Sequence, residues 1–306
     1  MTAPVVAPLR LAWRGSAPLT ALAVLMAGLL AVCAVGLAVD DRTVLGQPVW
    51  LKPAKFAASF VIYALTLAWL LARLRRGRRW ARWAATAVAV ISVLEVAIVA
   101  FQAARGRPSH FNEATPLDAA LWQSMGLMIM VLWAGTLLIT IALWRDPPTD
   151  RALAWGVRLG LVLLLLGLLE GLFMVVPTRA QLDLDAHGAE TLMGAHAVGV
   201  ADGGPGLPLV GWSTTGGDLR IGHFVGIHAL QATILAAMLL GRLVADPGRR
   251  TRLTFVFAGA YAGLLALVTW QALRGQPLLD PDRATLIALA ALVAAAAGAT
   301  ALAWRR

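Results

Sequence analysis

Five polar side chains crowd one short stretch of an otherwise apolar chain. In GDLRIGHFVGIHALQ, residues 217–231, Asp218, Arg220, His223, His228 and Gln231 open what reads as a lipid-embedded helix. Imidazole exchanges protons near neutrality and ligates metals and haem. His223 and His228 are five positions apart, about 140° around a continuous helix, so they do not form a chelating i,i+4 pair. His228 and Gln231 share a face.

Two carboxylates fall inside apolar segments as well. At ~1.5 Å per residue, Glu95 lies about 14 Å, Glu170 about 9 Å and His228 about 10 Å below the same surface. Gln102, Gln123, Ser124 and Gln231 fall in the same slab. Ionisable groups in hydrocarbon are costly and normally face a bundle interior or a wet cavity. The expectation is a polar pocket open to the outer face, with Glu95, Glu170 and His228 as its acid–base groups.

Other segments offer ligands for that pocket. RGRPSHFNEATP, residues 105–116, leaves His110 and Asn112 at an outer mouth among turn and cap residues. His110, His223 and His228 are the candidate ligands for a b-type haem or a divalent metal. The chain has 24 Arg but only two Lys, Lys52 and Lys55, both in WLKPAKF. If Pro53 is the first helical residue, they crown a helix N-terminus suited to anions. Interfacial snorkelling explains them equally well. Lys52, Lys55, Asn112, Asp218, Arg220 and Gln231 are the candidate substrate contacts. His187 and His196 are weaker candidates.

These residues must be held by membrane helices. Hydrophobic residues make up 59% of the 306, and charged residues only 14%, against roughly 25% in soluble domains. The apolar blocks are long enough to cross a ~30 Å bilayer core as helices. They predict spans at 18–39, 54–72, 83–104, 119–144, 155–176, 221–243, 253–273 and 284–304. The fold class is therefore an all-α polytopic transmembrane bundle of about eight spans, treated as a single domain over residues 1–306. Most of the Trp residues fall near predicted ends, as an aromatic belt should. Cys33, the one cysteine, lies in the first span and permits no intrachain disulfide.

The net charge of +10 invites a nucleic-acid reading, but its distribution argues against one. With a cytoplasmic N-terminus, 17 of the 26 Lys and Arg fall in inside segments, six of them in RLRRGRRWAR at 73–82. The positive-inside rule then puts both termini in the cytoplasm and the protein in the inner (plasma) membrane. The bilayer is the expected partner, and all five histidines gather towards the outer side.

One long loop remains, 177–220, outside. Seven of its 19 residues from 199 to 217 are Gly, yet it also carries Trp, His and acids, which favours an ordered lid over a linker.

The blocks WLKPAKFAASF, RGRPSHFNEATP, DGGPGLPLVGWST and GDLRIGHFVGIHALQ resemble those of an uncharacterised multi-pass bacterial membrane protein family. The resemblance spans the second to the sixth span and implies that these blocks build one site, without implying an activity. The sequence contains no P-loop, GxSxG, HExxH or CxxCH motif. Three functions stay open. Haem or metal binding ranks first, then acid–base chemistry on a lipid or lipid-linked substrate, then transport of a small anionic solute. Transport ranks last because no span shows a Gly/Pro break and the inner leaflet lacks deep polar groups. A structural or sensory membrane protein, with the polar cluster only locking helices, is the remaining alternative.

Overall fold

The computed structural model describes residues 6–187 and 192–305. Its helices are α1 (Val6–Gly15), α2 (Ala17–Val39), α3 (Leu51–Leu71), α4 (Arg78–Ala104), α5 (Pro116–Arg145), α6 (Arg151–Leu169), α7 (Gly171–Met174), α8 (Arg179–Ala186), α9 (Leu219–Ile227), α10 (Ala229–Leu243), α11 (Pro247–Leu273) and α12 (Arg283–Arg305). Two short antiparallel pairs complete it: β1 (Thr43–Val44) with β2 (Gln47–Pro48), and β3 (Ala197–Val198) with β4 (Gly217–Asp218). Among the described residues, seven spans are long and apolar enough to cross a membrane, α6 and α7 counting as one. The pair α9–α10, bent by 46°, makes an eighth. The protein is an all-α polytopic membrane bundle.

Each end has a local cause. Ser16, Asp150 and Asp246 cap α2, α6 and α11 by accepting backbone N–H bonds, which satisfies donors that lipid cannot. Gly77, at φ 67°, makes the turn into α4. Helix α3 begins at Leu51, so Pro53 stands inside its first turn and is not the opening residue.

The chain forms two compact units. The first comprises residues 1–143, 175–195 and 208–211. Its main packing is α2 on α3, with α4 against both. Helix α5 is tied in by a 2.6 Å hydrogen bond between Tyr63 and Thr136, and by Gly135, which admits the Val88 side chain.

The second unit comprises residues 144–174, 196–207 and 212–306. Here α6 packs on α9, α10 and α11, and α12 packs on α11. Gly156, Gly160 and Gly167 line the α6 face that meets α9 and α10. A Cβ on Gly167 would lie 2.4 Å from the Cα of Gly226, and one on Gly226 would lie 2.3 Å from the Cα of Gly167. Small residues allow such backbone contact between membrane helices.

The expected lid divides between the units. Part carries α8 and an isolated bridge between Asn112 and Leu192 in the first unit. Part carries β3, β4 and a bridge between Gly206 and Ser213 in the second. Residues 188–191 of that loop lie outside the described residues.

Replacing Gly226 by Ala forces the α6–α9 crossing apart and should cost about 1–3 kcal/mol. Gly259→Ala, where a Cβ meets nothing within 4 Å, is the control. Thermal unfolding in detergent should show a lower midpoint for the first variant alone.

Candidate functional site

The second unit gathers polar groups where two spans break. Helix α6 ends with Glu170 as its C-cap, and α7 starts at the next residue. Helix α9 ends with His228 as its C-cap, and α10 resumes at Ala229 in a new direction. This corrects the expectation of unbroken spans, and with it the 140° separation of His223 and His228. Neither break uses proline. Each follows the Gly167–Gly226 crossing by a few residues.

Broken helices in lipid need internal partners for their freed carbonyls. His223 supplies one: its Nδ1–H donates to the Gly167 carbonyl at 2.7 Å. A carbonyl only accepts, so the proton is on Nδ1, and in the neutral ring Nε2 is left as an acceptor. Tyr261 supplies another, donating its hydroxyl to the Val225 carbonyl at 2.7 Å.

Glu170 meets α11 and α9. The Thr269 hydroxyl donates to its Oε1. Oε2 is buried and has no hydrogen-bond partner among the described residues. Gly222 makes the arrangement fit, because a Cβ there would lie 2.4 Å from Glu170 Oε2 and 2.5 Å from Thr269 Oγ1. His223 is the next residue, and its Cε1 lies 4.0 Å from where a Cβ on Gly171 would stand. Glu170, Thr269 and His223 therefore form one cluster, partly buried. His228 hydrogen-bonds the Gln231 side chain and packs on the Phe224 ring at 4.6 Å between centroids.

Asp218 and Arg220, candidate substrate contacts from sequence, are bonded to each other. Asp218 is fully buried. It accepts from Ser213 N (2.8 Å), Arg220 N (3.0 Å), Arg220 Nε (2.9 Å) and Arg220 Nη2 (2.5 Å). It caps α9 and fastens the loop to it.

His196, a weaker candidate from sequence, pairs with Asp202. Its Nδ1 lies 2.6 Å from Asp202 Oδ2, and its backbone N and that of Ala197 also donate to that carboxylate. Burial disfavours the Asp202 charge, but these hydrogen bonds and the imidazole outweigh it and hold the carboxyl below its ordinary range.

The remaining candidates belong to the first unit. Glu95 on α4 is buried, and its Oε1 has no hydrogen-bond partner among the described residues. His110 is packed against Phe56, Phe111 and Trp122 at 5.6–6.0 Å and lies 3.0 Å from the Ser109 hydroxyl. Phe111 holds φ at 62°, a strained value for an aromatic residue. Asn112 bonds the Pro108 carbonyl and the Ala114 N–H, closing its own turn. Lys55 donates to the Val210 carbonyl at 2.8 Å. Lys52 stands in the first turn of α3.

One network of the first unit was not singled out from sequence. Asp118 is fully buried and accepts from Gln102 (2.9 Å), Arg105 (2.7 Å) and Thr115 (2.7 Å), with Arg107 at 3.5 Å. Its signal in the sequence is an acid in a helix's first turn downstream of RGR.

Among the described residues, no group of three or more His, Cys, Asp and Glu is placed to hold a metal ion. No protein-family model, curated protein or solved structure matches the chain.

Proposed function

We propose that this integral membrane protein binds a small cationic or hydrogen-donating solute, or a proton, in the second unit at Glu170. The carrying observation is the buried Oε2 of Glu170, which has no hydrogen-bond partner among the described residues, in the unit whose α9–α10 span is bent by 46°. Discontinuous membrane helices mark ion and solute sites in transporters. The groups around the cluster accept hydrogen bonds: Glu170 Oε2, and Nε2 of neutral His223. Among the expected anion contacts of this unit, Arg220 is already committed to Asp218. That removes support for an anionic solute and shifts the reading to the opposite charge. The bend between α9 and α10 answers one of the two objections to transport, while the lack of deep polar groups in the inner leaflet still counts against it. Arginine placement supports cytoplasmic termini and an inner-membrane location. The resemblance to a multi-pass bacterial family is kept as part of the proposal.

Thermal unfolding of the purified protein, titrated with sodium, potassium and methylammonium chloride, tests the reading. At least one cation should stabilise saturably, by about 2.7 kcal/mol at a hundredfold excess over Kd. The effect should persist when acetate replaces chloride and vanish in Glu170→Gln. A rise that follows the anion, or survives Glu170→Gln, contradicts it.

Haem or metal binding keeps one specific support. A backbone carbonyl holding Nδ1–H is how ligating histidines are commonly oriented, and His223 has that arrangement. Protein from haem- and metal-supplemented cells should then show an absorption band or bound metal that His223→Ala loses. A colourless, metal-free preparation removes this second reading.

A further inference from the structure

We propose that the groove between α10, α11 and α12 binds one anionic phospholipid, with an acyl chain in the groove and the phosphate on Arg249, Arg250 and Arg252. The groove encloses about 600 Å³ and is lined by residues such as Ala236, Leu239, Phe257, Ala260 and Ala296. That volume is in the range of small-molecule sites, about 300–1,000 Å³. Sequence explains why protein does not fill it. Helix α12 carries the run VAAAAGAT at 293–300, too small to reach across, and only Thr285 and Ala303 of that helix are buried. The lining is apolar apart from Thr300, which suits an acyl chain and not a polar solute.

The basic end of the groove supplies the headgroup chemistry. A cluster of Val244, Leu253 and Ala303, with the groove residues Leu240 and Val256 packed on it, stands at that end. Beside that cluster, Arg249 stacks over Trp304 at 4.9 Å, and Arg252 Nε donates to the Ala303 carbonyl at 3.2 Å. Arg250 Nη1 lies 3.8 Å from where a Cβ on Gly241 of α10 would stand. The three guanidinium groups thus bracket the groove from its α10 side to its α12 side. Asp150, 3.8 Å from Arg250, and Asp246, 4.0 Å from Arg252, offset part of the charge. The three arginines still outnumber these two carboxylates, and Arg242 stands on the last turn of α10. The Nε–H groups of Arg249 and Arg250 are buried without a hydrogen-bond partner among the described residues. A phosphate would instead meet the exposed parts of the Arg250 and Arg252 guanidinium groups, in the charge-assisted geometry arginine favours. Basic pockets between membrane helices are a recurring headgroup site.

The test is thermal unfolding of the full chain in an uncharged detergent, titrated separately with dioleoyl phosphatidylglycerol, dioleoyl phosphatidylcholine and glycerol phosphate. Phosphatidylglycerol should stabilise saturably, at a concentration about tenfold or more below that for phosphatidylcholine. Glycerol phosphate should do nothing. The double variant Arg250→Gln/Arg252→Gln should bind phosphatidylglycerol about thirtyfold more weakly. Ala260→Phe fills the groove and should abolish the lipid effect while unfolding like the unaltered protein without lipid. If the arginine variant does not fold, Ala260→Phe decides alone. Equal response to both lipids, a full response to glycerol phosphate, or a full lipid response in Ala260→Phe overturns the proposal.

Discussion

The backbone contact of Gly167 with Gly226 is the constraint on which the second unit depends. Two helices approach so closely that neither position has room for a Cβ. Both spans stop being regular within a few residues of that contact, at Glu170 and at His228. In hydrocarbon, a freed carbonyl must find a donor inside the protein. The donors are His223 and Tyr261, and they come from α9 and α11. The polar residues of the opening helix are therefore partly explained by backbone chemistry. His223 closes the carbonyl of the very glycine that allows the crossing.

Glu170 is not explained that way. Thr269 answers one oxygen, and Gly222 clears the space beside the other, yet that second oxygen is buried and unanswered among the described residues. A residue serving only to lock helices would be expected to have both oxygens satisfied, since an unpaired buried acceptor costs stability. Asp218 and Asp118 show what locking looks like in this protein, each fully buried and each held by several donors. The contrast sets Glu170 apart from these two locked carboxylates.

Much of this was legible in the sequence. Apolar block length predicts the spans to within a few residues, because crossing a bilayer fixes a minimum length and leaves little freedom. Glu170, His223 and His228 stand out because polar groups in such blocks are rare. The breaks were not legible, since no proline marks them and the crossing that causes them joins residues 167 and 226. Thr269, Tyr261 and Gly222 escaped for the same reason, being ordinary residues made significant by long-range packing. The burial of Asp218 was not legible because its N–H donors, from Ser213 and Arg220, are invisible until the loop folds back on α9.

The central claim is that Glu170 presents a reactive, ligand-facing carboxyl within the membrane. Labelling with a hydrophobic carbodiimide, mapped by mass spectrometry, addresses it most directly. The account predicts an adduct on Glu170 that falls when the stabilising cation is present, with Asp118 and Asp218 unlabelled. An unlabelled Glu170, or labelling indifferent to every cation tested, would contradict it.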